Sequence, residues 1–254
     1  MRLISWNVNG LRAAAQKGLF EWMQQANPDI LCLQETKLQQ ANLTNTLQNV
    51  DGYTSHWSFA EKKGYSGVAT FTKHVPTNIM HGFDHERFNN EGRIITTEFD
   101  QFTLFNIYFP NGQMSEERLA YKMDFCEYAL TYFDRLRDAG KSLIICGDYN
   151  IAHTPIDLKN AKQNENYSGF LPIERAWIDK LISHGYADTF RTLYPDDIKY
   201  SWWSYRFNAR ATNAGWRIDY FFVTDDLIPK VKDAFILNEI AGSDHCPVGI
   251  DIEL

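Results

Sequence analysis

No stretch of this sequence is apolar for long enough to cross a membrane. The opening segment MRLISWNVNGL reaches Asn7 and Asn9 without a continuous apolar run, and nowhere do about 18 apolar residues follow one another. A secretory signal peptide and a membrane span are therefore not expected. We predict a soluble, cytoplasmic protein without a membrane partner.

Cysteines are few and widely separated. The four of them, Cys32, Cys126, Cys146 and Cys246, form no C-x-x-C pair, and each lies in or beside an apolar stretch. This pattern is typical of buried thiols in a reducing compartment, and it argues against a disulfide framework or a cysteine-based zinc site.

Internal repeats, low-complexity tracts and linkers rich in proline, glycine or serine are also absent. The chain has 254 residues, of which 44% are hydrophobic and 15% aromatic, so it can bury a sizeable core. We therefore predict that residues 1–254 form one domain, and we expect a monomer because a chain of this size can bury its own core.

Positive charge is scarce in total but concentrated in one segment. The formal net charge is −7, which by itself argues against a polyanionic partner. Between Lys199 and Arg217, however, cations alternate with tyrosine, tryptophan and phenylalanine, and no carboxylate occurs. This segment fits either a core strand with its loop or a surface that contacts a phosphate backbone and stacks on bases or sugars.

Strand-like and helical patterns alternate along the chain. Apolar runs predict strands at residues 2–8, 29–34, 66–72, 93–99, 102–109, 142–148, 217–224 and 247–254, and helical spacing predicts helices at 19–26, 115–140 and 171–185. The strands are too numerous, and too often consecutive, for one doubly wound sheet. We predict an α/β fold in which two sheets face each other with helices outside.

Polar side chains recur where these strands begin or end. They are Asn7, Asn9, Glu35, Tyr108, Asn111, Asp148, Asn150, Asp219, Asp244 and His245. Each alone fits an ordinary turn residue, but ligands in α/β folds collect at such positions. Oxygen donors without thiolates or paired histidines favour Mg²⁺ or Mn²⁺ over zinc. Asp148 and His245 are then suited to the proton transfers or water positioning of a phosphoester hydrolysis.

Six ordered motifs carry a resemblance to a known family. WNVNGLR, LQETK, IYFPNG, GDYNIA, NARATNAGWRIDYFFV and GSDHCPV, between residues 5 and 248, resemble the exonuclease III and apurinic/apyrimidinic endonuclease family of the endonuclease/exonuclease/phosphatase superfamily. The resemblance covers the whole chain. It implies a four-layer α/β sandwich, with two facing mixed β-sheets flanked by helices and the site in a cleft at one edge.

The resemblance also implies a metal site. Glu35 would be the principal ligand of Mg²⁺, for which Mn²⁺ can substitute, with Asn7 and Asn9 close by and Asp244 supporting the metal end of the site. Some relatives have an acidic residue at the position of Asn9, so a second tight metal site is in doubt here.

Catalytic roles follow from the same resemblance. Asp148 would orient or deprotonate the attacking water, while His245, oriented by Asp219, would stabilise charge that builds on the phosphorane oxygens. Contacts to the phosphate are implied for Tyr108, Asn111 and Asn150.

Substrate recognition is implied for a further set of residues. Trp202, Trp216 and Ile218 would line an apolar pocket for an extrahelical deoxyribose without its base, and Ser168-Gly169, which is small, would leave room for the sugar. Gln113, Met114 and Arg206 fit either side chains that enter the duplex from its grooves or ordinary loop residues.

The function implied is a DNA-repair phosphodiesterase that cuts 5′ to abasic sites in duplex DNA and leaves a 3′-hydroxyl. Accompanying 3′-phosphodiesterase, 3′-phosphatase and 3′ to 5′ exonuclease activities are expected, so the partner is double-stranded DNA with abasic sites or blocked 3′ ends. Two alternatives stay open: a nonspecific deoxyribonuclease or other phosphatase of the superfamily, and a non-catalytic DNA-binding protein.

Overall fold

The computed structural model describes residues 1–113 and 115–254. Its strands are β1 (Arg2–Asn7), β2 (Ile30–Gln34), β3 (Thr54–Ser58), β4 (Val68–Thr72), β5 (Asn78–His81), β6 (Ile94–Glu98), β7 (Thr103–Tyr108), β8 (Leu143–Asp148), β9 (Tyr186–Asp188), β10 (Trp202–Trp203), β11 (Gly215–Trp216), β12 (Asp219–Thr224), β13 (Val231–Ile236) and β14 (Val248–Ile252). Its α-helices are α1 (Leu11–Gln16), α2 (Leu19–Ala26), α3 (Asn45–Gln48), α4 (Glu116–Asp138), α5 (Ala161–Asn164), α6 (Pro172–Ser183) and α7 (Thr189–Leu193). Short 3-10 helices lie at Gln40–Asn42, Glu86–Phe88, Pro155–Asp157, Arg206–Asn208 and Asp225–Lys230.

Twelve of the strands form two six-stranded sheets. Sheet A has the order β13-β14-β1-β2-β4-β3, and sheet B has the order β5-β6-β7-β8-β12-β9. The β1–β2 pair in sheet A and the β7–β8 pair in sheet B are parallel, whereas the other neighbours are antiparallel. Strands β10 and β11 form a separate ribbon. The prediction of two mixed sheets is confirmed.

Helices cover the outer face of each sheet. Helices α1 and α2 contribute Leu11 and Met23 to the core outside sheet A, and α4 and α6 contribute Phe125 and Trp177 to the core outside sheet B. Because successive side chains of a strand point to opposite faces, β8 gives Leu143 and Ile145 to the helix side and Ile144 and Cys146 to the core between the sheets. The four-layer α/β sandwich is therefore confirmed.

The sequence predicts the interior strands and misses the edges. The eight predicted strands correspond to β1, β2, β4, β6, β7, β8, β12 and β14, and the four edge strands β3, β5, β9 and β13 are not predicted. Edge strands face solvent on one side and carry polar residues, as in TSHWS of β3 and NIMH of β5. They therefore give no continuous apolar run.

The three predicted helices are α2, α4 and α6, with ends within two residues of the predicted ones. Ser115 caps α4, since its Oγ accepts a hydrogen bond from the Arg118 backbone N–H at 3.1 Å. All four cysteines are buried free thiols, as expected. Among the described residues, none of the helices combines the length and apolar character needed to cross a bilayer.

The topology brings four strand ends to one edge of the sandwich. Parallel β1 and β2 end at Asn7 and just before Glu35, and parallel β7 and β8 end at Tyr108 and Asp148. Antiparallel β12 begins at Asp219, directly opposite Asp148. Polar side chains that are far apart in the sequence therefore meet at this edge.

Candidate active-site cleft

A cleft of about 460 Å³ opens at this edge of the sandwich. The predicted site residues that line it are Glu35, Asn111, Gln113, Asp148, Asn150, Ser168, Trp202, Arg206, Trp216, Ile218, Asp244 and His245. A hollow of about 530 Å³ beside Arg137 and Asp225 is larger, but none of the predicted site residues lines it. We therefore take the smaller cleft as the candidate site.

Asp148, Asp219 and His245 form the cleft cluster, a buried group at the cleft floor. The Nδ1 atom of His245 lies 2.8 Å from Oδ2 of Asp219, and its Nε2 atom lies 3.8 Å from Oδ2 of Asp148. Asp219 therefore orients the imidazole, which directs its other nitrogen toward Asp148 and the cleft.

The electrostatics of the cleft cluster suit proton transfer. Burial raises the pKa of Asp148 to about 7, and the neighbouring Asp219 carboxylate adds to this effect. Burial disfavours charge on His245, but Asp219 and Asp148 outweigh it and raise the pKa of the imidazole to about 10. Near neutral pH the cluster therefore combines a cationic imidazole with a carboxylate that can accept a proton.

Amide groups fix the orientation of Asp148. The side-chain N–H of Asn7 donates to Oδ2 of Asp148 at 2.8 Å, and the backbone N–H of Asn150 donates to Oδ1 at 2.8 Å. Asn111 in turn donates to the Asn150 side-chain oxygen at 3.2 Å. Two amide side chains thus lie beside the carboxylate, where a phosphate can accept hydrogen bonds.

Glu35 also lines the cleft and is held by three donors. Tyr108 donates its hydroxyl to Oε1, Asn7 donates to the same oxygen at 3.3 Å, and Nζ of Lys37 lies 3.0 Å from Oε2. Burial opposes charge on Glu35, but Lys37 and the Tyr108 hydrogen bond outweigh it and lower the pKa of this carboxyl. Glu35 is therefore an anion that faces the cleft.

Three residues of the site adopt left-handed backbone conformations. The φ angles are 46° at Asn9, 51° at Glu35 and 52° at Asn150. Asparagine tolerates this region, but glutamate does so rarely, at a cost of about 1 kcal/mol or more. The backbone at position 35 is therefore strained where the carboxylate enters the cleft.

Asp244, near the C-terminus of the sequence, is a further acidic residue that lines the cleft. Asn9 donates to its Oδ1 at 3.0 Å, and the indole N–H of Trp202 donates to its Oδ2 at 3.1 Å. Burial opposes its charge, but His245 and these hydrogen bonds outweigh it, so the pKa of Asp244 is lowered. Asn9 thus connects Asp244 to the corner occupied by Glu35.

The residues fit a divalent cation that prefers oxygen ligands. The Lys37 ammonium contacts Glu35 and also donates to Oδ1 of Asn9, so oxygens at this corner already surround a positive charge. Within the described ranges, Asp148, Asp219 and His245 also bring possible ligand atoms within 4.8 Å of one another. Carboxylate and amide oxygens are typical of Mg²⁺ and Mn²⁺ sites.

An apolar pocket adjoins this polar floor. The rings of Trp202 and Trp216 pack edge to face with centroids 6.2 Å apart, and Ile218 lies in the same cluster. Gly169 closes the wall with φ of 98°, and a Cβ there would lie 3.1 Å from the Trp216 ring. The wall beside Ser168 is therefore tightly packed.

The segment from Lys199 to Arg217 combines both interpretations made from the sequence. Trp203 and Arg217 are buried, as the interpretation of a core strand with its loop requires. Arg206 lines the cleft, and the neighbouring Tyr205 and Phe207 are 68% and 95% exposed. The surface interpretation fits only this part of the segment.

Loop residues complete the rim of the cleft. Gln113 lies there as expected, whereas Met114 falls outside the described residues.

Several contributors were not predicted from the sequence. Lys37 contacts Glu35, and Ser201 donates to Oδ2 of Asp219 at 2.6 Å. The additional residues that line the cleft are Asn164, Tyr167 and Ser204. Lys37 belongs to the LQETK motif, and this was the one available signal, since the others are ordinary loop residues in the sequence.

Comparisons with known proteins agree with this geometry. The model of the Endonuclease/Exonuclease/phosphatase family matches residues 4–245. The exodeoxyribonuclease of Bacillus subtilis (strain 168) is 46% identical over 256 residues, which cover 100% of both chains. The DNA repair nuclease APEX1 of Danio rerio is 43% identical over 98% of this chain and 81% of that protein. An AP endonuclease structure from Archaeoglobus fulgidus superimposes with a TM-score of 0.91 at 27% identity, over 100% of both chains.

Proposed function

The chain belongs to the endonuclease/exonuclease/phosphatase family, and we propose that it is a DNA-repair nuclease that cuts the phosphodiester 5′ to abasic sites in duplex DNA. The observation that carries this proposal is one cleft in which Glu35, Asp148 and His245 lie beside a tryptophan-lined pocket. The first group is suited to phosphoester hydrolysis and the second to a sugar without its base.

The relatives support DNA as the substrate. Their names describe an exodeoxyribonuclease, a DNA repair nuclease and an AP endonuclease. We extend this to double-stranded DNA with abasic sites or blocked 3′ ends, with 3′-phosphodiesterase, 3′-phosphatase and 3′ to 5′ exonuclease activities. The protein acts as a cytoplasmic monomer in this proposal.

Mg²⁺ is the proposed metal ion, and Mn²⁺ can substitute for it. Glu35 and Asp244 would hold it, with Asn7 and Asn9 beside them. When bound, such an ion supplies positive charge that neutralises a phosphate and the leaving oxygen. The imidazole of His245 is already hydrogen-bonded to Asp219. We therefore assign the cleft cluster to proton transfer and to the stabilisation of negative charge, and not to binding of the metal ion.

Different side chains of the cleft have different roles in the hydrolysis. Asp148 accepts a proton from water, whose oxygen forms a bond to phosphorus while the bond from phosphorus to the 3′ oxygen breaks. The released 3′ oxygen takes a proton from solvent water and becomes a 3′-hydroxyl. His245 stabilises negative charge on the phosphate oxygens, Asn111 and Asn150 donate hydrogen bonds to the phosphate, and Tyr108 contacts it.

Selectivity comes from the pocket formed by Trp202, Trp216 and Ile218, with Ser168 at its wall. A deoxyribose without a base fits beside these rings, whereas a full nucleotide is too large, and unstacking costs least where the base is missing. Arg206 and Gln113 contact the duplex at the rim. The phosphate contacts of Arg206 make binding weaken with salt.

The test is cleavage of a 5′-labelled duplex that carries one tetrahydrofuran residue, in Mg²⁺ or in EDTA. We expect the first labelled product to end with a 3′-hydroxyl immediately 5′ to the lesion, in Mg²⁺ and not in EDTA. Equal cutting of an undamaged duplex would instead indicate a nonspecific deoxyribonuclease. Hydrolysis of an inositol phosphate alone would indicate another phosphatase, and DNA binding without cleavage would indicate a non-catalytic protein.

A further inference from the structure

A charged pair shielded from solvent lies behind the wall of the cleft. Lys122 of α4 and Glu174 of α6 form an ion pair, and both side chains are 0% exposed. Attraction within such a pair seldom repays the cost of removing both charges from water. The other contacts of the two side chains must therefore explain why the charges are buried here.

Glu174 holds the wall of the apolar pocket. Its Oε2 accepts the backbone N–H of Gly169 at 2.6 Å and that of Leu171 at 3.0 Å, and its Oε1 accepts the Ser168 hydroxyl at 3.3 Å. Ser168 and Gly169 both line the cleft. One buried carboxylate thus fixes the loop that faces the substrate sugar.

Lys122 holds the neighbouring phosphate-binding segment. Its ammonium donates to the backbone carbonyl of Asn150 at 2.8 Å. Asn150 in turn fixes Asp148 through its backbone N–H. The ion pair therefore joins the segment that carries the reactive carboxylate to the pocket wall.

The space around the pair leaves little freedom. A Cβ on Gly112 would lie 2.7 Å from the Ser168 hydroxyl and 3.3 Å from Cδ of Lys122. A Cβ on Gly169 would lie 3.3 Å from the Asn150 carbonyl oxygen. The loops that contain Gly112, Asn150 and Gly169 therefore meet near the ion pair. A substitution in the pair is expected to move the pocket wall relative to Asn150.

We propose that Lys122 and Glu174 are positioning residues that set the distance between the pocket wall and Asn150, and so the selectivity for abasic over undamaged DNA. The inference rests on the proposed function and deepens it. A wall held close to Trp216 excludes a base, whereas a loosened wall admits a larger nucleotide. The pair acts through Ser168, Gly169 and Asn150 and does not touch the substrate.

The test uses Lys122→Met/Glu174→Gln, which removes both charges together and leaves neither buried without its partner. The measured quantity is the ratio of kcat/KM for a tetrahydrofuran duplex to kcat/KM for an undamaged recessed 3′ end. We expect this ratio to fall by about tenfold, the scale on which pocket fit discriminates substrates. Because both values come from one preparation, the ratio does not depend on the fraction of active enzyme.

A matched control comes from a second ion pair between the same helices. Lys180 and Glu127 also join α6 to α4, but their side chains are 45% and 49% exposed and neither lines the cleft. Lys180→Met/Glu127→Gln is expected to keep the parent ratio. Equal losses on both substrates in the buried-pair variant, with an unchanged ratio, would show a purely structural role and overturn the proposal.

If Lys122→Met/Glu174→Gln does not fold, a milder variant and a binding measurement still test the proposal. Glu174→Asp keeps the charge but withdraws the carboxylate from Gly169 by one methylene, and its ratio is expected to fall by about threefold. The ratio of Kd values for undamaged and tetrahydrofuran duplexes in EDTA gives the same selectivity without catalysis, and an unchanged ratio in Glu174→Asp counts against positioning. A parent protein that binds the lesion but never cuts it overturns the proposed function alone.

Discussion

Two clusters of buried charge flank the start of β12, and their charges are paired differently. The scaffold cluster contains Arg191 and Arg217 with Asp157 and Asp188. Nε of Arg217 lies 2.8 Å from Asp157, its Nη2 lies 2.8 Å from Asp188, and Nη2 of Arg191 lies 2.6 Å from Asp157. Two cations therefore balance two carboxylates.

The cleft cluster has two carboxylates and one imidazole. Burial and the neighbouring Asp219 carboxylate raise the pKa of Asp148 to about 7, and the attraction of His245 does not outweigh them. In the scaffold cluster, burial disfavours the charge of Asp157, but Arg217 and Arg191 outweigh it and lower the pKa of this carboxyl to about 2. The same residue type is thus inert or reactive according to the balance of its partners and its access to the cleft.

The comparison predicts the largest effect for Asp148→Asn. Turnover on a tetrahydrofuran duplex should fall by about 10² to 10⁴-fold, because the proton acceptor is removed. The free energy of unfolding should stay the same or rise, since one of two opposed carboxylates becomes neutral. Single-turnover kinetics and urea denaturation measure both quantities, and near-parental turnover in Mg²⁺ would exclude this role.

Asp157→Asn should show the reverse behaviour. It leaves Arg191 and part of Arg217 unpaired in the interior, so we expect a loss of about 3 kcal/mol in the free energy of unfolding. Turnover of the folded protein should stay within about threefold, since Asp157 does not line the cleft. A large loss of turnover with unchanged stability would remove the distinction between the clusters.

The free energy of unfolding should depend on pH differently in the parent protein and in Asp157→Asn. The pKa of Asp157 is lowered from 3.8 to about 2 in the folded state, so its stabilisation is present above about pH 4 and is lost as the pH falls toward 2. Between pH 5 and pH 2 the parent should lose about 2 kcal/mol more than Asp157→Asn. Urea midpoints across this range measure the difference, and parallel curves for the two proteins would contradict it.

Glu35→Gln tests a carboxylate that belongs to neither cluster and is paired with Lys37 in the cleft. We expect about tenfold more Mg²⁺ to be needed for half-maximal activity. Substitution of a metal ligand, or of a residue that hydrogen-bonds a ligand, typically weakens metal affinity by this factor or more. The matched control is Asp157→Asn, whose Mg²⁺ titration should match that of the parent. An unchanged titration for Glu35→Gln would argue against ligation.

The smallest effect is expected for Arg206→Ala, which removes an exposed cation outside both clusters. Binding to undamaged and abasic duplexes should weaken alike, and the slope of log affinity against log salt should become shallower by about one. Titrations at several salt concentrations in EDTA provide the measurement. A selective loss of abasic binding would instead assign Arg206 to lesion recognition.

The sequence predicts what is local and what the motifs contain. Interior strands give apolar runs, and Glu35, Asp148 and His245 stand in quoted motifs beside those strands, so their convergence follows from the α/β topology. Lys122 shares its helix face with Phe125, Cys126 and Ala129, and no pattern in the sequence identifies Glu174 as the partner of its buried ammonium. Pairings across such distances along the chain, like that of Ser201 with Asp219, require the folded structure.

The left-handed backbone at Glu35 has a consequence for directed evolution. Glycine adopts this conformation without a penalty from a Cβ, but Glu35→Gly would also remove the acceptor that Tyr108, Asn7 and Lys37 share. Buried donors left without an acceptor cost about 1–3 kcal/mol each, which exceeds the strain that is relieved. A library designed for heat resistance should therefore leave position 35 unchanged.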